Sequence, residues 1–170
     1  MELKTYQKNV ISDLKRFLAL LVESQNISYA YKTLWEEKGV PVGIDGMPTY
    51  HSEISGVPQI CFKVPTGGGK TFLAANSIKP IFDSIPHVHP KAVVWLVPSD
   101  AILTQTYRTL TDKNHDYRKK IDVDFGNKVE VYSKQQLLNG QSFNPVSVSE
   151  NLSIFVLSYD SFRTSKKEGR

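Results

Sequence analysis

The chain has 170 residues, 40% of them apolar, a formal net charge of +4 and a pI near 9.1. That size suits one ordinary hydrophobic core, and the mixed charges carry no signature of disorder. Mild basicity permits a polyanionic partner without requiring one, and a single cysteine, Cys61, excludes both an intrachain disulfide and a cysteine-built metal cluster.

No apolar secretory core follows Met1, and the patch from Phe17 to Val22 is too short to cross a bilayer. A cytoplasmic location is the expectation. Tyr6, Val10, Leu14, Phe17, Leu18 and Leu21 recur at helical spacing and predict an amphipathic helix over residues 5–24. Tyr31, Leu34 and Trp35 predict a shorter helix over 28–38, stopped at Gly39. Residues 40–58, broken by glycines and prolines, read as an irregular surface connection.

The apolar run Gln59 to Val64 predicts a strand, and Cys61 within it is expected to be a small core residue. The turn Pro65-Thr66-Gly67-Gly68-Gly69-Lys70-Thr71 follows, and then a helix to about Phe82, with Pro80 near its last turn. Strand, glycine-rich turn and helix in that order form a phosphate-holding unit. Consecutive glycines admit backbone conformations that let N–H groups converge on phosphate oxygens at a helix N-terminus. Lys70 is then placed to neutralise the β- and γ-phosphates, and the Thr71 hydroxyl to ligate Mg²⁺. The general pattern has a further glycine five residues before the last one, and Val64 stands there instead.

Beyond a loop at Pro86 to Pro90, residues 92–97 (Ala-Val-Val-Trp-Leu-Val) read as a strand buried on both faces of a parallel sheet. Ser99 or Asp100 is positioned to cap a helix running to about Leu110. Residues 128–132 alternate and predict a more exposed strand. Ser133 caps a short helix at 134–139, residues 140–151 form a polar loop, and 152–157 form a further buried strand. Strands alternating with helices indicate an α/β fold with a parallel sheet and ligands at the carboxyl ends of its strands. Residues 65–71, 98–100 and 158–160 are the segments expected there. The run Lys166 to Arg170 is expected to be a solvated end, and the four histidines are too dispersed to form a metal site.

Pro65 to Thr71 resembles the first motif of superfamily 2 helicases and translocases, where Thr-Gly-x-Gly-Lys-Thr is usual and the first glycine is not required. With the preceding Ile60-Cys61-Phe62-Lys63-Val64, the chain resembles more narrowly the opening part of the Res subunit of type III restriction endonucleases. The resemblance implies a RecA-like P-loop NTPase fold and an incomplete first motor lobe. Residues 1–58 would carry N-terminal helices and an adenine-recognition segment, and 59–170 a partial ATP-binding core, one structural domain overall. It implies ATP and Mg²⁺ as cofactors, held by Thr66, Gly67, Gly68, Gly69, Lys70 and Thr71, with Lys70 and Thr71 as the catalytic groups.

By the same resemblance Gln7 recognises adenine, since a carboxamide matches the N6 donor and N7 acceptor of that base. On the residues alone it reads as a helix-surface Gln. Pro98, Ser99 and Gln105 resemble the family's Ia segment, and Ser158 and Tyr159 a later strand end. Both segments touch a nucleic-acid backbone in related proteins. Asp100 would repel phosphate, and a simple helix cap at Ser99 is the alternative. The implied partners are double-stranded DNA and a modification (methyltransferase) subunit. The sequence contains no Asp-Glu-x-His segment and no second lobe, so weak nucleotide binding and hardly any hydrolysis are expected of this chain as an N-terminal fragment. A superfamily 2 helicase without nuclease activity and a non-catalytic nucleotide-binding module stay open as alternatives.

Overall fold

The computed structural model describes residues 2–140 and 145–162, without the side chains of 145–147. The Lys166–Arg170 run lies outside the described residues. These fall into two compact units, Met1–Pro86 and His87–Arg170, taken in turn.

The first unit is helical. Helix α1 (Thr5–Ser24) and helix α2 (Ile27–Glu37) pack through Phe17, Leu20 and Ala30, with Leu21, Ile27, Tyr31 and Leu34 around them. Phe17, Leu21, Tyr31 and Leu34 are residues that the periodicity marks, whereas Leu20, Ile27 and Ala30 are not. Asn26 caps α2 by accepting from Tyr29 N at 3.0 Å. Arg16 on α1 binds the Glu37 carboxylate at the end of α2, and Lys38 Nζ reaches Asp13 at 2.7 Å. Helix α3 (Lys70–Ser84) packs on α1 and continues through Pro80 to Ser84, slightly beyond the expected Phe82.

The predicted strand at 59–64 does not form: these residues have no ladder partner and no regular structure. A strand exists only through a neighbour that completes its hydrogen bonds. Among the described residues of the first unit, the only β pairing is an isolated Val42–Met47 bridge. Cys61 is exposed, contrary to the core position expected for it.

The second unit is α/β. Strands β1 (Lys91–Val97), β2 (Val129–Ser133) and β3 (Leu152–Ser158) form a parallel sheet in the order β1-β3-β2. Helix α4 (Asp100–Thr111) packs against all three strands, and helix α5 (Asp116–Asp124) packs on α4. Central β3 is buried along nearly its whole length, as its apolar run predicts. Edge strand β1 departs from the expectation of burial on both faces: Val94 is 59% and Leu96 40% exposed. Its run is as apolar as that of β3, but its alternate residues Ala92, Val94 and Leu96 are exposed, so one face of the strand is left uncovered.

Strand β2 departs the other way, because Val129, Val131 and Tyr132 are buried and only Glu130 of its first four residues faces out. Ser133 caps helix α6 (Lys134–Asn139) through a reciprocal pair with Gln136, as expected. The expected polar loop at 140–151 contains a one-and-a-half-turn helix, α7 (Pro145–Glu150). Its polar sequence gives no apolar period to read.

Candidate functional site: the glycine-rich loop

The loop from Pro65 to Gly69 delivers the chain into α3, so that Lys70 and Thr71 are the first two residues of a 15-residue helix. Gly67 and Gly69 both have left-handed backbones, at φ 76° and 73°. Side-chained residues resist that conformation, which gives the run of glycines its structural reason. Gly68 lies between them and is buried. A β-carbon there would come within 2.6 Å of Val64 Cγ1 and 2.9 Å of the Pro65 carbonyl.

Around Gly67 there is open space, so this side of the loop is accessible to a ligand. The donors of the first helical turn have no intrahelical acceptor and carry the positive end of the helix dipole. They lie beside an exposed ammonium at Lys70. An anion of several oxygens fits that set. Lys70 Nζ now donates to Pro65 O at 3.0 Å, and Gly68 N donates to the same carbonyl at 3.0 Å. The loop therefore closes on itself through Pro65, which takes one of the three donors of the Lys70 ammonium.

Gln7 is at the foot of α1 and is 5% exposed, not on the helix surface. Its Oε1 accepts from Lys4 N at 2.9 Å, which satisfies an orphan donor of the helix start. Its Nε2 donates to Gly68 O at 3.0 Å, and the Tyr6 hydroxyl donates to that carbonyl too. Thus Tyr6, Gln7 and the Gly67–Thr71 segment come together in one place, while Thr66 stands exposed on the loop.

The other candidates lie in the second unit, at the carboxyl ends of β1 and β3, except Gln105, which lies within α4. Pro98 and Gln105 are exposed, Ser99 is half-buried and precedes α4 without a side-chain cap bond, and Tyr159 is exposed. Ser158 is 1% exposed, and its hydroxyl donates to Asp100 Oδ1 at 2.8 Å. That bond joins the two strand ends the sequence singles out. They border a cleft of about 340 Å³ that also takes in Ser133, Lys134 and Asp160. With Asp100 and Asp160 against Lys134, the cleft is not a basic one.

Sequence reasoning missed α5 and its buried Arg118. The guanidinium binds Asp122 Oδ1 at 2.8 Å, Leu110 O at 2.9 Å and Val129 O at 2.8 Å. The four-residue spacing of Arg118 and Asp122 is the only sequence signal of that network. Among the described residues no group of three or more His, Cys, Asp or Glu side chains is placed to hold a metal, and no helix is long and apolar enough to cross a membrane. His115 caps α5 by accepting from Tyr117 N at 3.2 Å.

A parallel sheet flanked by helices, and a glycine-rich turn that opens a helix on Lys-Thr, define a P-loop protein of RecA-like fold. The family model described as type III restriction enzyme, res subunit, matches residues 1–169, and the chain belongs to that family as its helicase-like ATP-binding part. Neither the curated proteins nor the solved structures gave a match.

Proposed function

We propose that the chain is the N-terminal ATP-binding part of a DNA-dependent ATPase or translocase of the type III restriction kind. The loop carries this reading: two left-handed glycines flank a buried one, and the turn feeds directly into Lys70 and Thr71 at a helix start. Backbone N–H groups of the loop would hold the phosphates, Lys70 would neutralise them, and Thr71 would supply a hydroxyl to Mg²⁺. The bound metal would draw charge off the transferring phosphoryl group. Thr66 to Thr71 form the nucleotide site in this reading.

Family membership supports double-stranded DNA as the substrate polymer, a modification subunit as partner and a cytoplasmic setting. Pro98, Ser99, Gln105 and Tyr159 remain the candidate backbone contacts, with Ser158 as the residue that orders them through Asp100. Hydrolysis needs an acidic group that places metal and water, and no Asp-Glu-x-His segment occurs in these 170 residues. Binding without appreciable turnover is therefore the behaviour proposed for this chain.

Titration calorimetry with Mg-ATP tests the reading. Saturable binding that weakens at least about tenfold in Lys70→Ala, the equivalent of about 1.4 kcal/mol, supports it. Unchanged binding in that variant contradicts it, and robust Lys70-dependent turnover by the chain alone contradicts the expectation of binding without hydrolysis.

A further inference from the structure

Gln7 is 5% exposed and is tied inside the protein at both ends of its amide, Oε1 accepting from Lys4 N and Nε2 donating to Gly68 O. Tyr6, its neighbour in sequence, donates to the same Gly68 carbonyl. Two side chains of one helix turn therefore converge on a single oxygen and fill both of its lone pairs. That oxygen belongs to the peptide joining Gly68 to Gly69. A trans peptide is planar, with its C=O and N–H pointing in opposite directions. Holding the oxygen toward α1 turns the Gly69 N–H away from α1, on the side where a phosphate would be gripped.

We propose that Gln7, together with Tyr6, is a positioning residue of the phosphate loop, with its effect exerted on the triphosphate. The proposal rests on the nucleotide-binding reading given above. Glycines alone leave the loop many conformations, and each glycine peptide not fixed before binding has to be ordered by the ligand. A carbonyl held by two donors removes that freedom in advance. The close fit supports this assignment: a β-carbon on Gly69 would lie 2.6 Å from Gln7 Nε2, so loop and amide leave no space between them.

The test is calorimetric titration of the full chain with Mg-ATP, Mg-GTP and inorganic tripolyphosphate, for the wild type, Tyr6→Phe, Gln7→Ala and the double variant. Gln7→Ala should weaken all three ligands by a common factor of about five to ten, the effect of one hydrogen bond of ~1 kcal/mol. Tyr6→Phe should weaken all three equally and by less. The double variant should lose more than the product of the single losses, because each donor still holds the carbonyl when the other is removed.

Loss confined to Mg-ATP in Gln7→Ala, with GTP and tripolyphosphate unaffected, overturns the proposal in favour of base reading. No change for any ligand in either single variant overturns it as well. If Gln7→Ala does not fold by circular dichroism, Tyr6→Phe alone decides on the same criteria. Failure of the wild type to bind any of the three ligands refutes the nucleotide-binding reading itself, and this proposal with it.

Discussion

The side-chain amide of Gln7 donates to the carbonyl of Gly68 at 3.0 Å, and so ties the first turn of α1 to the middle of the glycine-rich loop. The two residues are 61 positions apart. Through this bond the loop has a fixed side, toward α1, and an open side, at Gly67. The charged group of the loop, Lys70, donates to Pro65 O and would exchange that carbonyl for a phosphate in the proposed nucleotide complex. Such an exchange is a small one: it replaces a hydrogen bond to a neutral oxygen with one to a charged oxygen.

The fixed side makes two glycines respond differently. Gly67→Ala and Gly69→Ala both place a side chain in the left-handed region, at φ 76° and 73°. Each bears a backbone cost of about 1–2 kcal/mol. Only the second also drives a β-carbon against Gln7 Nε2, at 2.6 Å. Gly69→Ala should therefore weaken tripolyphosphate binding more than Gly67→Ala, by at least about fivefold, for roughly 1 kcal/mol of added displacement. Competition binding of the two variants side by side checks the order.

The Arg118 network should dominate the stability of the second unit. Arg118→Met leaves Asp122 buried without its partner and removes donors from Leu110 O and Val129 O. Removal of one member of a buried pair costs about 3–5 kcal/mol. Urea unfolding followed by Trp95 fluorescence in a Trp35→Phe background, with Trp95 on β1 of the same unit, should show that loss. Adding Asp122→Leu to Arg118→Met should recover part of it, since no unpaired carboxylate then remains.

The pair between α1 and α2 predicts a pH dependence. The hydrogen bonds from the Arg16 guanidinium hold the Glu37 carboxyl below its ordinary value, aided by the opposite charge. A carboxylate whose folded value is depressed contributes its stabilisation above the unfolded value, about 4.3 for Glu, and loses it as pH falls through the folded one. Glu37→Gln should therefore lower the melting temperature slightly at neutral pH. The gap to the wild type should close as the pH falls below about 4, toward protonation of both folded and unfolded Glu37. Melting curves at several pH values test this, and added salt should shrink the gap, since the pair is exposed.

Asp100 lies beside Pro98 and Ser99, two of the backbone contacts proposed above, and it accepts from Ser158. Asp100→Asn keeps an acceptor for that hydroxyl and removes one negative charge. Affinity for a labelled DNA duplex should rise about two- to fivefold at low salt and converge with the wild type as salt screens the charge. Fluorescence anisotropy across a salt series measures both slopes. A fall in affinity on this substitution would count against a backbone contact at this sheet edge.

Much of this architecture is legible in the residues. The apolar periodicity of Tyr6 to Leu21 marks α1 to its ends, and the glycine run marks both the loop and the start of α3. What escapes is set by partners distant in sequence. Val94 and Phe155 belong to equally apolar runs, yet β1 lies at the sheet edge and β3 at its centre, and order in a sheet is not encoded in local pattern. Residues 59–64 carry a strand's composition without a neighbour to complete the ladder. Gln7 reads as a surface residue by helical spacing, and only the approach of Gly68 explains its burial. Arg118 lies in a stretch so polar that nothing marks it as core. Its guanidinium is satisfied by two carbonyls and a carboxylate drawn from three different segments.

The most direct measurement is the ³¹P NMR spectrum of ATP titrated with the chain in the presence of Mg²⁺. If Thr66 to Thr71 hold the phosphates, the β and γ resonances shift and broaden with the wild type and stay at their free positions with Lys70→Ala. Equal perturbation by both proteins, or none by the wild type, would contradict the assignment of this loop as the nucleotide site.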